Sequence, residues 1–437
     1  MHTLNSARSL AALDLAAVKT DTRLGHAVTL TDQQHTRLLL ALRDRSAAAA
    51  DQVAQFAVTQ MGTPTATTVD EVATGFHPVL THNRYRQGPR RYTTVAEVAD
   101  KVRPFVQDGS PVPITIQGFP FKQHDNLLKA SGPLPDLAEF GAMLRLWELV
   151  QALRQLYPPG VWLTVMRDGG YYRPRPSEEL AVYRAAVDTL WAQIGDPDMG
   201  WVSKLEAARS SLGPQRAARW RHDVERYRAA IVEATSAAAD TCDPHGAELP
   251  VRALTGDLPD GSVPSFPSLF ASLLYSVAVP GPGDAEWSRL VLADPFSRTD
   301  EPSAAVRAAR QELIRRAWLA TASYLGTCAA DARHNVNEAL FGDGLHLSTS
   351  LPGPGKIGFS YLGGSLLYPW HGSACVDASG RLGVAFSLLL GASNLVPVHR
   401  DGSPQPFLWI PPECTVRHGG DRRVGTDLID RIRLRSR

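Results

Sequence analysis

Apolar positions along this chain alternate between helical and β spacing. Residues 1 to about 70 are rich in Ala, Leu, Arg and Gln. Leu38, Leu39, Leu40 and Leu42 recur with helical periodicity, so residues 1–74 read as a helical N-terminal extension. PVPITIQG at 111–118 is a β-rich apolar run closed by glycine, the pattern of a buried strand. After Pro135 a helix is predicted over 136–156. Asp136 and Glu139 stand in its first turn, and apolar residues cover most of its circumference, which predicts deep burial. PPGVWLTVMRDGG then gives a second strand over 161–166, broken by Asp168-Gly169-Gly170. Residues 111–170 therefore spell strand, loop, helix, strand. If the strands run parallel, their C-terminal ends set the loop after 118 beside the turn at 168, the edge where open α/β sheets bind ligands.

Elsewhere the pattern is weaker. A polar, Arg-rich stretch at 82–94 leads into a short helix, VAEVADKVRPFV. Residues 178–240 read as a charged, solvated helical layer that includes Lys204, and 241–305 as loop-rich. A helix is expected over about 303–340. GLHLSTSL, GKIGFSYL, SACVD and RLGVAFSLLL then read as short strands split by Gly and Asp turns. Residues 413–437 form a basic tail without periodicity.

Composition narrows the class. Hydrophobic residues make up 44% and charged residues 20%, as in a globular chain with ample core. A net charge of +1 gives no electrostatic reason to expect nucleic acid or an anionic membrane. No apolar run of about twenty residues exists to span a bilayer. The N-terminus has acidic residues and no continuous apolar core, unlike a signal peptide. Cys242, Cys328, Cys375 and Cys414 lie far apart with no CxxC, which argues against a zinc site or disulfide scaffold and suits a reducing cytoplasm. Of 45 basic residues only Lys19, Lys101, Lys122, Lys129, Lys204 and Lys356 are lysine. A lysine in so arginine-biased a chain points to what arginine cannot do, namely act as a compact point charge with a tunable pKa.

Candidate chemistry follows from these positions. Lys122, after Phe119-Pro120-Phe121, is either a partly desolvated cation able to grip an anion or move a proton, or a snorkelling surface lysine. Asp136 and Glu139 share one helix face near its positive end, as acids and bases or as N-terminal helix charges with no other task. Asp168 is a catalytic carboxylate or a turn aspartate. His371, in LYPWHGSACVD, is a base or a hydrogen-bonded core residue. The chain has no GxxxxGK[ST], GxSxG or HExxH, and GPGKIG at 353–358 lacks the spacing of a phosphate loop.

Taken as an ordered set, these segments resemble the pyoverdine/dityrosine-biosynthesis family, whose best-known enzymes are isonitrile synthases. The matching elements are Phe119-Pro120-Phe121-Lys122, Lys129 with Gly132, Pro135-Asp136, Glu139, Asp168-Gly169, Lys356-Ile357 and Pro369-Trp370-His371. The resemblance spans about 75–412, and the fold it implies is a Rossmann-like, mostly parallel sheet flanked by helices. The implied reaction condenses an amino acid's α-amine with ribulose 5-phosphate as co-substrate, a sugar carbon becoming the isonitrile carbon, with no metal or redox cofactor. The implied site has Lys122, Asp136, Glu139, Asp168 and His371 as catalytic residues. Phe119, Phe121, Lys129, Arg167, His346, Ser348, Lys356 and Trp370 would line the substrates. The implied partner is an iron/2-oxoglutarate oxygenase acting on the product. One element departs from the pattern: where the family usually reads RLSIH, this chain has His346-Leu347-Ser348-Thr349-Ser350. His346 then stands where the family keeps arginine. That change keeps a second reading open, a diverged member that binds an amino acid or sugar phosphate for a partner enzyme without turning it over.

Overall fold

The computed structural model describes residues 27–86, 93–122, 129–172, 177–274, 304–349, 355–363, 367–418, 421–424, 428–432 and 434. In chain order the strands are β1 (Val28–Leu30), β2 (Val112–Gly118), β3 (Val161–Arg167), β4 (Met199–Ser203), β5 (Leu345–Ser348), β6 (Lys356–Gly358), β7 (Ser373–Val376), β8 (Leu382–Ala385), β9 (Val396–Arg400) and β10 (Pro406–Ile410). The helices that position the site are α1 (Asp32–Met61), α2 (Val69–Leu80), α3 (Val95–Asp108), α4 (Leu137–Arg154), α5 (Ser177–Ala192), α6 (Lys204–Ala234) and α7 (Ala304–Arg333).

The molecule is α/β, as the strand-loop-helix-strand reading requires. One sheet has the order β4-β3-β2-β5-β6, and every neighbouring pair in it is parallel. Its central strand β2 is buried along nearly its whole length, as a parallel strand covered on both faces must be. The register is level at the functional edge: Gly118 pairs with Arg167, and Arg167 with Ser203. The next residue on each strand, Phe119, Asp168 and Lys204, therefore leaves the sheet in one row.

Helix α4 is the spine of the core. All of its residues except Gln151 and Arg154 are buried, which explains a sequence apolar nearly all round. It packs against α1 and β3 and against β7 and β8 of a second sheet. That second sheet has the order β1-β9-β10-β7-β8 and mixes parallel with antiparallel pairs. The expected helical N-terminal segment is present in α1 and α2. Thr31 and Thr68 start both with a capping box, which satisfies the first free backbone N–H groups. Residues 1–26 lie outside the described residues.

Several expectations are corrected. The solvated helical layer at 178–240 contains a strand, β4, at the edge of the sheet, and Lys204 is fully buried. Its neighbourhood belongs to the sheet edge because α6 starts directly where β4 ends. The region read as loop contains helices Glu248–Thr255 and Phe266–Leu274. RLGVAFSLLL divides into β8 and a short helix, Ser387–Ala392. The C-terminal tail holds a strand pair, Thr415–His418 with Asp421–Val424. Among the described residues no helix is long and apolar enough to cross a membrane, and none of the four cysteines is in a disulfide.

Candidate functional site

The chain turns inward as soon as it leaves β2. Phe119 has a φ of 51°, an uncommon left-handed conformation, and its ring packs on Trp201, Tyr361 and Trp370 at 5.1, 5.5 and 5.4 Å. Lys122 consequently ends in the interior. Its Nζ donates to Glu139 Oε2 at 2.8 Å and to the Pro369 carbonyl at 2.9 Å, and it lies 3.0 Å from Asp136 Oδ2. Asp136 is the N-cap of α4. Its Oδ1 accepts from the Ala138 N–H at 2.9 Å and its Oδ2 from the Ala374 N–H at 3.0 Å. Glu139 closes the capping box by accepting the Asp136 N–H at 3.0 Å. One lysine thus ties together the loop after β2, the start of α4, the Pro369–His371 turn and, through Asp136, β7.

Burial pushes the Lys122 ammonium down, but Asp136 and Glu139 outweigh it, and its pKa stands above the ordinary lysine value. Burial raises Glu139, Lys122 opposes it, and the Asp136 charge adds to the rise, leaving the carboxyl at about 8. The ammonium is fully engaged by protein acceptors. This arrangement locks the fold; it does not present a cation to a phosphate.

A second lysine cluster lies at the same sheet edge. Lys204 follows β4, and its Nζ hydrogen-bonds the Tyr172 hydroxyl and lies over the Tyr171 and Tyr172 rings at 4.2 and 4.4 Å. Asp331, on α7, is 3.8 Å away through Oδ2, while its Oδ1 accepts from the Tyr171 hydroxyl at 2.8 Å and Trp220 Nε1 at 3.0 Å. Tyr172 stacks on Tyr324 at 4.3 Å. Burial holds Lys204 below the ordinary lysine value even though Asp331 and Asp168 pull it up. Asp168, first after β3, is pushed up to about 6 by burial, with Lys204 opposing. Its Oδ1 is buried and has no hydrogen-bond partner. An unsatisfied buried carboxylate oxygen is costly and uncommon in a folded protein, and such atoms mark places where a ligand or proton completes the set. Gly169 is needed beside it, because a Cβ there would collide with the Pro120 carbonyl oxygen of the neighbouring loop.

The other expected residues distribute unevenly. Trp370 is buried against Phe119, and half-buried His371 meets the Tyr368 ring edge-on at 5.2 Å, two residues from the carbonyl that holds Lys122. Phe121 packs on the margin of the core. Lys129 is buried, and its carbonyl accepts the Ser387 N–H at 3.0 Å. Arg167 is turned toward α5, paired with Asp188 and lying over Trp201 at 4.5 Å. Ser348 is buried at the end of β5, and Lys356 is exposed at the start of β6. His346 stacks flat on Phe341 at 4.1 Å. Burial, with Lys356, Lys204 and Lys101 nearby, holds its imidazole down at about 4, so it is neutral near pH 7 and supplies no substitute for a permanent arginine charge. Ser350 lies outside the described residues. Lys204, Asp331, Tyr172 and Tyr324 were not singled out from sequence. Lysine scarcity was the one available signal, and it applied to Lys204 as much as to Lys122.

Residues 102–246 match the family model described as pyoverdine/dityrosine biosynthesis protein, a span that holds Lys122, Asp136, Glu139, Asp168 and Lys204. The chain is 32% identical over 97 residues to the isocyanide synthase-NRPS hybrid crmA of Aspergillus fumigatus, covering 22% of this chain and 6% of that protein. It is 35% identical over 69 residues to an L-tyrosine isonitrile synthase of Xenorhabdus nematophila, covering 16% of this chain and 20% of the relative. It is 27% identical over 97 residues to the L-tryptophan isonitrile synthase AmbI1 of Fischerella ambigua, covering 22% and 30%. The chain thus spans under a third of the length of each of these relatives. The crystal structure of PvcA from Pseudomonas aeruginosa is similar at a TM-score of 0.46 and 19% identity, over 79% of this chain and all of that one. The family match bears out the resemblance read from the ordered motifs.

Proposed function

We propose that this chain is an isonitrile synthase-type enzyme that joins an amino acid's α-amine to the ketone of ribulose 5-phosphate at the edge where β2, β3 and β4 end. The observation that carries the reading is Asp168: a buried, unpartnered carboxylate oxygen within electrostatic reach of the buried ammonium of Lys204, inside the segment matched to the family. A carboxyl that titrates at about 6 is suited to proton transfer near neutrality. In its ionised form Asp168 takes the proton from the attacking ammonium; in its acid form it returns a proton to the hydroxyl leaving as water. Lys204 stabilises the ionised form and sets where that exchange occurs. Tyr172, Tyr324, Tyr361 and Trp370 supply an apolar wall for an amino acid side chain, and exposed Lys356 is the cation for the sugar phosphate. Lys122, Asp136 and Glu139 hold the frame.

The test is incubation with ribulose 5-phosphate and a panel of amino acids, followed by mass spectrometry. The expected result is a product carrying one added carbon on nitrogen, formed with one or a few of the amino acids. Sugar phosphate binding without product from any amino acid would favour the second reading, a non-catalytic binder. The neutral His346 in place of the family's arginine is the observation on that side.

A further inference from the structure

A recess lies between α5, the β9–β10 turn and the loop before α4. Leu134, Pro135, Leu190 and Phe407 form its apolar wall, and Arg400 is the one charged residue in its lining. Among the described residues no Asp or Glu lines it. Among the described residues the Arg400 guanidinium makes no hydrogen bond or ion pair, and its Nε is buried without a partner. Behind the wall, His35 meets the Phe407 ring edge-on at 4.7 Å, and its Nε2 is also buried without a partner. Burial and then the Arg400 charge hold that imidazole down at about 4, against the pull of Asp32, so it adds no second charge.

The recess is built rather than incidental. The Gln405 side chain clamps Leu134 at both ends, accepting its N–H at 2.9 Å and donating to its carbonyl at 2.7 Å, so the wall is preformed. Its volume of about 190 Å³ leaves room only for a small ligand. A half-buried guanidinium with no counter-ion is costly, and an anion whose oxygens meet it satisfies both charge and geometry. We infer that this recess binds a small organic carboxylate, its carboxylate on Arg400 and its apolar body on Leu134, Leu190 and Phe407. The proposal goes beyond the reaction proposed above and does not depend on it.

The experiment titrates the full chain by calorimetry with 3-phenylpropionate, its neutral amide and inorganic phosphate. The expected result is saturable binding of the carboxylate, weakened roughly tenfold or more in Arg400→Gln and for the amide on the native protein, as loss of a charge-assisted bond implies. Arg400→Lys should retain intermediate affinity, which keeps the test valid if Arg400→Gln folds poorly. Arg381→Gln, at an exposed arginine paired with Asp377, should bind as the native protein does. Absence of saturable binding, equal binding by Arg400→Gln, or phosphate binding as tightly as the carboxylate would each overturn the inference. Turnover is not the readout, so its outcome and that of the proposed reaction are separable.

Discussion

Two buried clusters, each of one lysine and two carboxylates, stand at the same edge of one sheet and behave oppositely. In the first, Lys122 lies within 3.0 Å of Asp136 and Glu139 and also donates to the Pro369 carbonyl. Its pKa is raised. In the second, Lys204 is 3.8 Å from Asp331, feels Asp168 only at longer range, and spends its contacts on tyrosine; its pKa is lowered. The difference is satisfaction. A buried ion set with every oxygen occupied gives rigidity and a defined geometry, whereas one with an orphaned oxygen retains capacity to act on something else.

That contrast can be broken at several points. Asp168→Asn should leave the protein folded and lower turnover by about 10²- to 10⁴-fold, the usual worth of a positioned acid–base group, measured with the substrates identified as above. Lys122→Met should do the reverse: it leaves Asp136 and Glu139 buried without their cation, which typically costs about 3–5 kcal/mol, read as a large drop in the denaturation midpoint. If Lys122→Met stays stable and loses only activity, the roles assigned to the two clusters are exchanged.

Smaller effects sharpen the contrast. Lys204→Met removes the positive charge that favours ionised Asp168, so a pH–rate limb near pH 6 should move upward; an unmoved limb would separate Lys204 from Asp168. Glu139 supplies the last test, and its sign is fixed by linkage. Its folded pKa of about 8 exceeds the free value of 4.5, so the folded state holds this proton more tightly. The associated stability is present below about pH 4.5 and is lost as pH rises toward 8. Glu139→Gln should flatten that decline in melting temperature between pH 5 and 8, by comparison with the native protein.

Much of the first cluster was legible in the sequence, and most of the second was not. β2, α4 and β3 announce themselves by a β-rich run, an acidic first turn and a strand-ending DG, and the short spacing forces Lys122 near Asp136 and Glu139. Lys204 was hidden because β4 is five residues long, contains Gly200, and runs straight into a polar helix whose charge dominates any window around it. Asp331 sits over a hundred residues further on, in α7, and reaches Lys204 only through the packing of α6 on α7. His346 stands where the family keeps arginine, and sequence shows its type but not the Phe341 ring on which it lies. Type is local, whereas solvation depends on what the rest of the chain stacks above a residue.

The pairing of β1 with β9 has a temporal meaning. Val28 is matched to Val398 and Leu30 to Arg400, so the first described strand meets its neighbour only after about 370 further residues have been made. On a ribosome adding about 5–20 residues per second, Val28–Leu30 waits tens of seconds with its backbone groups open, while α1, just after it, can already gather on α4. The second sheet is therefore completed late, and the Arg400 recess cannot exist before it.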